Sequence, residues 1–149
     1  MIRAALLLLA AGLPAAAQEV QDCDDWAAGA QFLAEPWEEN TRTFANGAVR
    51  VALIDTGEPA AGGYRILVLS PPYSQLGDRQ CRMVGSGGMG FAGVDFAALA
   101  ARYDPTVGLI LTLPATRFNG GTGDFEDGIL RFTLNQATGA IGAMLLQPE

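Results

Sequence analysis

Histidine and lysine are both absent from this chain, and its nine basic residues are all arginine. Without histidine there is no Ser-His-Asp or Cys-His nucleophile system, no histidine-held zinc, copper or non-haem iron, and no haem on a histidine axial ligand. Without lysine there is no Ser-Lys dyad and no Schiff-base chemistry. Catalysis would fall to carboxylates, to tyrosine or arginine, or to an ion held by oxygen. Positive charge as a whole is scarce: nine basic residues stand against sixteen acidic ones, for a net charge of −7, and no segment gathers the arginines into a stripe. Such a surface repels nucleic acid and anionic lipid, so neither is expected as a partner.

Cysteine is scarce too, with Cys23 and Cys81 alone. They show no C-x-x-C spacing and no basic neighbour that would mark a reactive thiol, so a disulfide in an oxidising compartment is the expectation. Closing that loop would stabilise the fold by roughly 4 kcal/mol in the chain-entropy model and would tie the N-terminal segment to the sheet. No apolar run is long enough to span a bilayer. Arg3, the apolar residues 4–11, Pro14 and the small residues Ala15, Ala16 and Ala17 read as a secretory signal over residues 1–17, cleaved after Ala17. Cys23 follows Val20-Gln21-Asp22 and lacks the context that lipoprotein processing needs. The expectation is one globular domain over residues 18–149, bacterial, periplasmic or secreted, and not inserted in a membrane.

What the chain does have is apolar residues, half of the total, punctuated by 19 glycines and 8 prolines. That balance suits many strands joined by turns. Arg65-Ile66-Leu67-Val68-Leu69-Ser70 is apolar on both alternating faces and reads as a central strand that must be covered on both sides. Residues 41–44 and 49–55 flank Asn46-Gly47, the signature of a two-residue type I′ hairpin. Residues 79–84, 107–113, 129–134 and 140–146 supply the other strands, about seven in all. Asp95 opens a helix whose apolar face would be Phe96, Leu99, Ala100 and Tyr103. Trp26, Ala30 and Leu33 mark a second, shorter helix within residues 22–33. The fold class is therefore α+β, mainly antiparallel β, as a curled sheet or sandwich with one or two short helices packed on it. Trp37, in the connector 36–40, reads as an aromatic packed under the connector, with a binding-site aromatic as the other reading.

Three motifs invite chemistry. Gly85, Ser86, Gly87, Gly88, Met89 and Gly90 match G-x-G-x-x-G, but glycines continue to Gly93 before a helix can start. They read as a mobile candidate ligand loop, and no cofactor is expected. Val51-Ala52-Leu53-Ile54-Asp55-Thr56-Gly57 resembles the catalytic turn of retropepsin-like aspartic proteases. That resemblance implies Asp55 as the catalytic carboxylate of a homodimer, with the stretch from Gly85 as a flap. Glu58-Pro59 departs from the family pattern, and an Asp-Thr-Gly at a strand end is also ordinary turn chemistry. Asn119, Asp124, Glu126 and Asp127 offer oxygen ligands for calcium on a loop read over residues 116–128, with a solvated acidic loop as the plainer reading. The residues favour an exported, non-catalytic binding or interaction module whose partner is an envelope protein or a small ligand. The alternatives are the Asp55 hydrolase and a calcium-stabilised envelope protein.

Overall fold

The apolar stretch at residues 65–70 forms the middle of a five-stranded antiparallel sheet in the computed structural model, which describes residues 16–24 and 26–147. Most of the expected signal, residues 1–15, lies outside the described residues. Strand β5 (Tyr64–Tyr73) has β4 (Val49–Asp55) and β6 (Arg79–Gly85) as its neighbours, with β3 (Thr41–Phe44) beyond β4 and β2 (Glu19–Asp22) beyond β6. A second antiparallel sheet runs β1 (Ala16–Ala17), β11 (Ile141–Leu146), β10 (Asp124–Leu134) and β9 (Gly108–Asn119). Along the free edge of β9 lie β7 (Gly93–Val94) and then β8 (Ala100–Asp104). Gln18 carries the chain from one sheet to the other, its N–H donating to the Ala143 carbonyl at 2.9 Å.

Alternation builds the core. Val49, Val51 and Leu53 of β4 and Ile66 and Val68 of β5 join Leu111 and Leu113 of β9 and Leu130, Phe132 and Leu134 of β10 in one buried cluster. The two sheets therefore share a single apolar interior, and each inward side chain of this kind contributes about 1.5 to 3 kcal/mol of burial.

The seven expected strands are all present, and the described residues hold four more: β1, β2, β7 and β8. The helices are corrected, because the described residues contain only 3₁₀ turns. Asp95 does cap a turn, its Oδ1 accepting the Ala98 N–H at 3.3 Å, but the turn ends at Ala98 and a strand begins at Ala100. Two local forces outweigh the helical spacing. Asp104 Oδ1 accepts from both the N–H and the hydroxyl of Thr106, which fixes a tight return, and β9 offers an open edge for Ala100–Asp104 to pair with. Tyr103, expected on the buried face, is 66 % exposed.

Near the N-terminus the expected helix breaks into turns at Trp26–Ala28 and Ala30–Phe32. Its buried residue is Ala27, while Trp26 is 59 % exposed with its ring edge-on to Phe32. Cys23 and Cys81 form the expected disulfide across a separation of 58 residues, with an Asp22–Arg82 ion pair beside it. That staple, more than helical propensity, sets the path of the segment.

The hairpin at Asn46-Gly47 exists, but four residues, 45–48, separate the last paired residues Phe44 and Val49, with Ala45, Asn46 and Gly47 all at positive φ. The glycine stretch begins on Gly85, the last residue of β6. It is a tight turn in which Gly87 and Gly88 take the positive φ and Ser86 pairs with Met89. Gly90 then docks against the 62–64 backbone, where an added Cβ would sit 2.0 Å from the Tyr64 carbonyl oxygen and 2.7 Å from that of Gly62. This packing holds fully buried Phe91 in place. The packing is at the base of the turn, while its tip, Gly87 and Gly88, is exposed with nothing within 4 Å of an added Cβ.

Gly90→Ala is expected to destabilise the protein by about 2 to 3 kcal/mol, because backbone must move to admit the methyl. At Gly120 an added Cβ meets nothing within 4 Å, so Gly120→Ala serves as the neutral control. Urea unfolding of both variants checks the pair, and equal midpoints would contradict the packing role of Gly90.

Candidate ligand groove

The outward face of the five-stranded sheet follows from the register. With Val49 and Val51 in the core, Arg50 and Ala52 point outward, and across the strand they pair with Leu69 and Leu67. Ile54 pairs with Arg65 in the next row. On the other side, Thr41 pairs with Ala52. Successive rows on one face are about 7 Å apart.

The disulfide-tied segment covers only part of this face. Ile54, Met83 and Ala27 form a small second buried cluster, with Phe32, Leu33 and Leu67 packed against it. Beyond Leu33 the cover stops. Leu67 and Leu69 stay half-buried and become the floor of an apolar groove of about 270 Å³, with Leu33 and Trp37 as its walls and Thr41 and Arg50 as its polar rim. The volume lies just under the range of roughly 300 to 1,000 Å³ common for small-molecule sites.

Trp37 is held in place by its backbone. The Thr41 hydroxyl donates to the Trp37 carbonyl at 2.9 Å, Asn40 Nδ2 donates to the Pro36 carbonyl at 3.1 Å, and Arg42 Nη1 donates to the Glu39 carbonyl at 3.0 Å. Its ring is nevertheless 57 % exposed, so it is not packed under the connector as the plainer sequence reading had it. An indole fixed by its main chain and open on its face is a ready stacking surface.

Two arginines lie along this face. Arg50 is exposed at the rim and makes no hydrogen bond or ion pair among the described residues. Arg65 is only 8 % exposed, and its Nη1 is buried with no hydrogen-bond partner among the described residues. An unpaired buried cation is costly, so Arg65 is a strained choice at its position.

The motif residues are dispersed. Asp55 ends β4, and its Oδ1 accepts the Gly57 N–H at 2.8 Å, while the Thr56 hydroxyl reaches the Glu58 and Gly63 carbonyls, both at 3.1 Å. This is an Asx-type turn closed by its own aspartate. The Gly88 N–H in the glycine turn is taken by Glu19 Oε2 at 2.6 Å.

The loop read over 116–128 is corrected to two paired strands joined by a turn at residues 120–123, so Asn119, Asp124, Glu126 and Asp127 are strand residues. Glu126 is occupied by protein donors: Asn119 Nδ2 reaches Oε1 at 2.6 Å, and Arg117 meets Oε2 through Nε at 2.7 Å and Nη2 at 2.5 Å. Asp127 accepts the Thr116 hydroxyl at 2.5 Å. Among the described residues, no group of three such ligands is arranged to hold a metal ion. A second cavity, of about 350 Å³, has Asp95 and Asp127 in its wall, and both already accept protein hydrogen bonds.

In the sequence Trp37 stood as a binding-site aromatic only as the second reading, and Arg50, Leu67 and Leu69 were not singled out. The signal was present in the alternation of 49–55 and in a central strand apolar on both faces, which together demand an outer cover that the rest of the chain supplies only in part.

Hydrogen bonds from Asn119 and then from Arg117 hold the Glu126 carboxyl below its ordinary value. Because the folded value is depressed, the stability it contributes is complete above the ordinary carboxylate range and is lost as pH falls through the folded value. Asn119→Ala is expected to raise the Glu126 midpoint in a carbon-detected NMR titration, and an unchanged midpoint would contradict the assignment. Arg65→Met is expected to raise the thermal midpoint by removing an unpaired buried charge at similar volume. A lowered midpoint would mean that Arg65 has an anionic partner in solution.

Comparisons of this chain with protein-family models, with curated proteins and with solved structures gave no match, and its function is read from the groove itself.

Proposed function

We propose that this chain is an exported bacterial β-sandwich, periplasmic or secreted, acting as a non-catalytic binding module that takes an apolar ligand in the groove between Trp37 and Leu69. The observation that carries the reading is the incomplete cover of β4 and β5. Buried Ala52 and half-buried Leu67 and Leu69 form an apolar floor that the N-terminal segment covers only in part, beside an indole that is anchored and exposed. Apolar surface left open in a fold that covers the rest of the same face is what a ligand would bury.

Export is supported by the signal-like residues 1–17 and agrees with the Cys23–Cys81 disulfide. Among the described residues, no helix is long and apolar enough to cross a membrane. Binding is preferred to hydrolysis because Asp55 spends an oxygen on its own turn, accepting the Gly57 N–H. It is preferred to a calcium role because Glu126 is already paired with the Arg117 guanidinium and hydrogen-bonded by Asn119.

The neutral fluorescent probe N-phenyl-1-naphthylamine tests the groove. It is expected to brighten on binding, and Trp37→Ala is expected to weaken it about tenfold, the loss of roughly 1.4 kcal/mol of contact. Trp26→Ala, which alters the other exposed indole, is expected to leave binding unchanged. Equal binding by the wild type and Trp37→Ala would overturn the site.

A further inference from the structure

We infer that the ligand of this groove is a free, single-chain carboxylate amphiphile whose head group is read by Arg50. The inference rests on the groove proposed above and adds the chemical class of its occupant.

Arg50 is the charged residue in the groove lining, and it has no protein partner among the described residues, in a chain with sixteen acidic residues against nine basic ones. Carboxylates are abundant, yet none among the described residues is placed on this guanidinium. Its neighbour across the strand is Leu69, so the charge stands at the end of the apolar floor. A tail laid on Leu69, Leu67 and Ala52 would therefore bring its head to Arg50. The same tail would displace water from the guanidinium and lower the local dielectric, which strengthens the pair. The planar fork of arginine matches a carboxylate with two parallel hydrogen bonds.

Size favours a short tail. The groove of about 270 Å³ lies just under the usual small-molecule range, which suits a medium-length acid such as octanoate better than a long one. The source is a free molecule and not a bilayer surface. One arginine makes no polybasic patch, and a net charge of −7 repels an anionic membrane.

Calorimetric titration of the full folded chain with octanoate, octanol and octylammonium separates the two levels of the argument. Octanoate is expected to bind best, and Arg50→Gln is expected to weaken it about tenfold while leaving octanol unchanged. Arg131→Gln is the control. That arginine lies between Leu130 and Phe132, both core residues, and so points to the outer face of the other sheet.

If octanol binds as tightly as octanoate and Arg50→Gln changes neither, the groove stands and the head-group assignment falls. An octanoate preference that survives Arg50→Gln but is lost in Arg65→Met also overturns it. If none of the three binds, or if Trp37→Ala leaves all three unchanged, the groove itself is wrong. Salt-sensitive binding to phosphatidylglycerol vesicles, with no affinity for octanoate in solution, would overturn the free-ligand assignment in favour of a membrane surface.

Discussion

The constraint behind this fold is that the central strand of the five-stranded sheet is apolar on both faces. Ile66 and Val68 enter the shared core, where the second sheet supplies Leu111, Leu113, Leu130 and Phe132. Leu67 and Leu69 face the other way and need a cover that no sheet provides. At roughly 25 cal/mol per Å² of apolar surface, leaving that face bare works against a fold held together by burial. The arrangement of the N-terminal third is the answer to this problem.

That answer is a segment with little regular structure of its own. Two short 3₁₀ turns cross the outer face, place Ala27 and Phe32 over Ile54 and Met83, and end at Leu33. Turns of this length have almost no independent stability, so the segment depends on its attachments. Cys23–Cys81 pins one end to β6, and an antiparallel bridge between Leu33 and Ile54 pins the other to the edge of β4. Across 58 residues the disulfide is worth about 4 kcal/mol in the chain-entropy model. The groove begins where the second attachment ends, which ties the site to the same staple that holds the segment down.

Most of the strand framework was legible in the sequence because alternation of side chains is a local signal. The register of Val49, Val51 and Leu53 against Arg50, Ala52 and Ile54 could be read before any pairing was known, as could the pairing of Cys23 with Cys81. The helix at Asp95 was misread because its spacing was satisfied equally well by a capped turn followed by an edge strand. What decided between them was the tight return at Asp104 and Thr106, which folds residues 100–104 back along the open edge of β9, a pairing that helical spacing does not report. The glycines at 85–90 serve two ends: Gly87 and Gly88 supply the positive φ of the turn, while Gly85 and Gly90 fit because a carbonyl lies where a Cβ would be. The acidic cluster at 119–127 looked like a loop because its partners, Arg117 and Thr116, act across a strand pair. The groove was the least legible feature, since it is defined by where a cover stops, and composition carries no record of that.

The central claim is that the outer face of β4 and β5 is a binding surface left open by the N-terminal segment. Amide chemical-shift mapping with octanoate tests it most directly, because it reports on every strand at once. Perturbations are expected at Arg50, Ala52, Leu67 and Leu69 and at the Trp37 indole N–H, with the six-stranded sheet unmoved. Shifts centred instead on the glycine turn at Gly87 and Gly88, or on the cavity beside Asp95 and Asp127, would contradict the account.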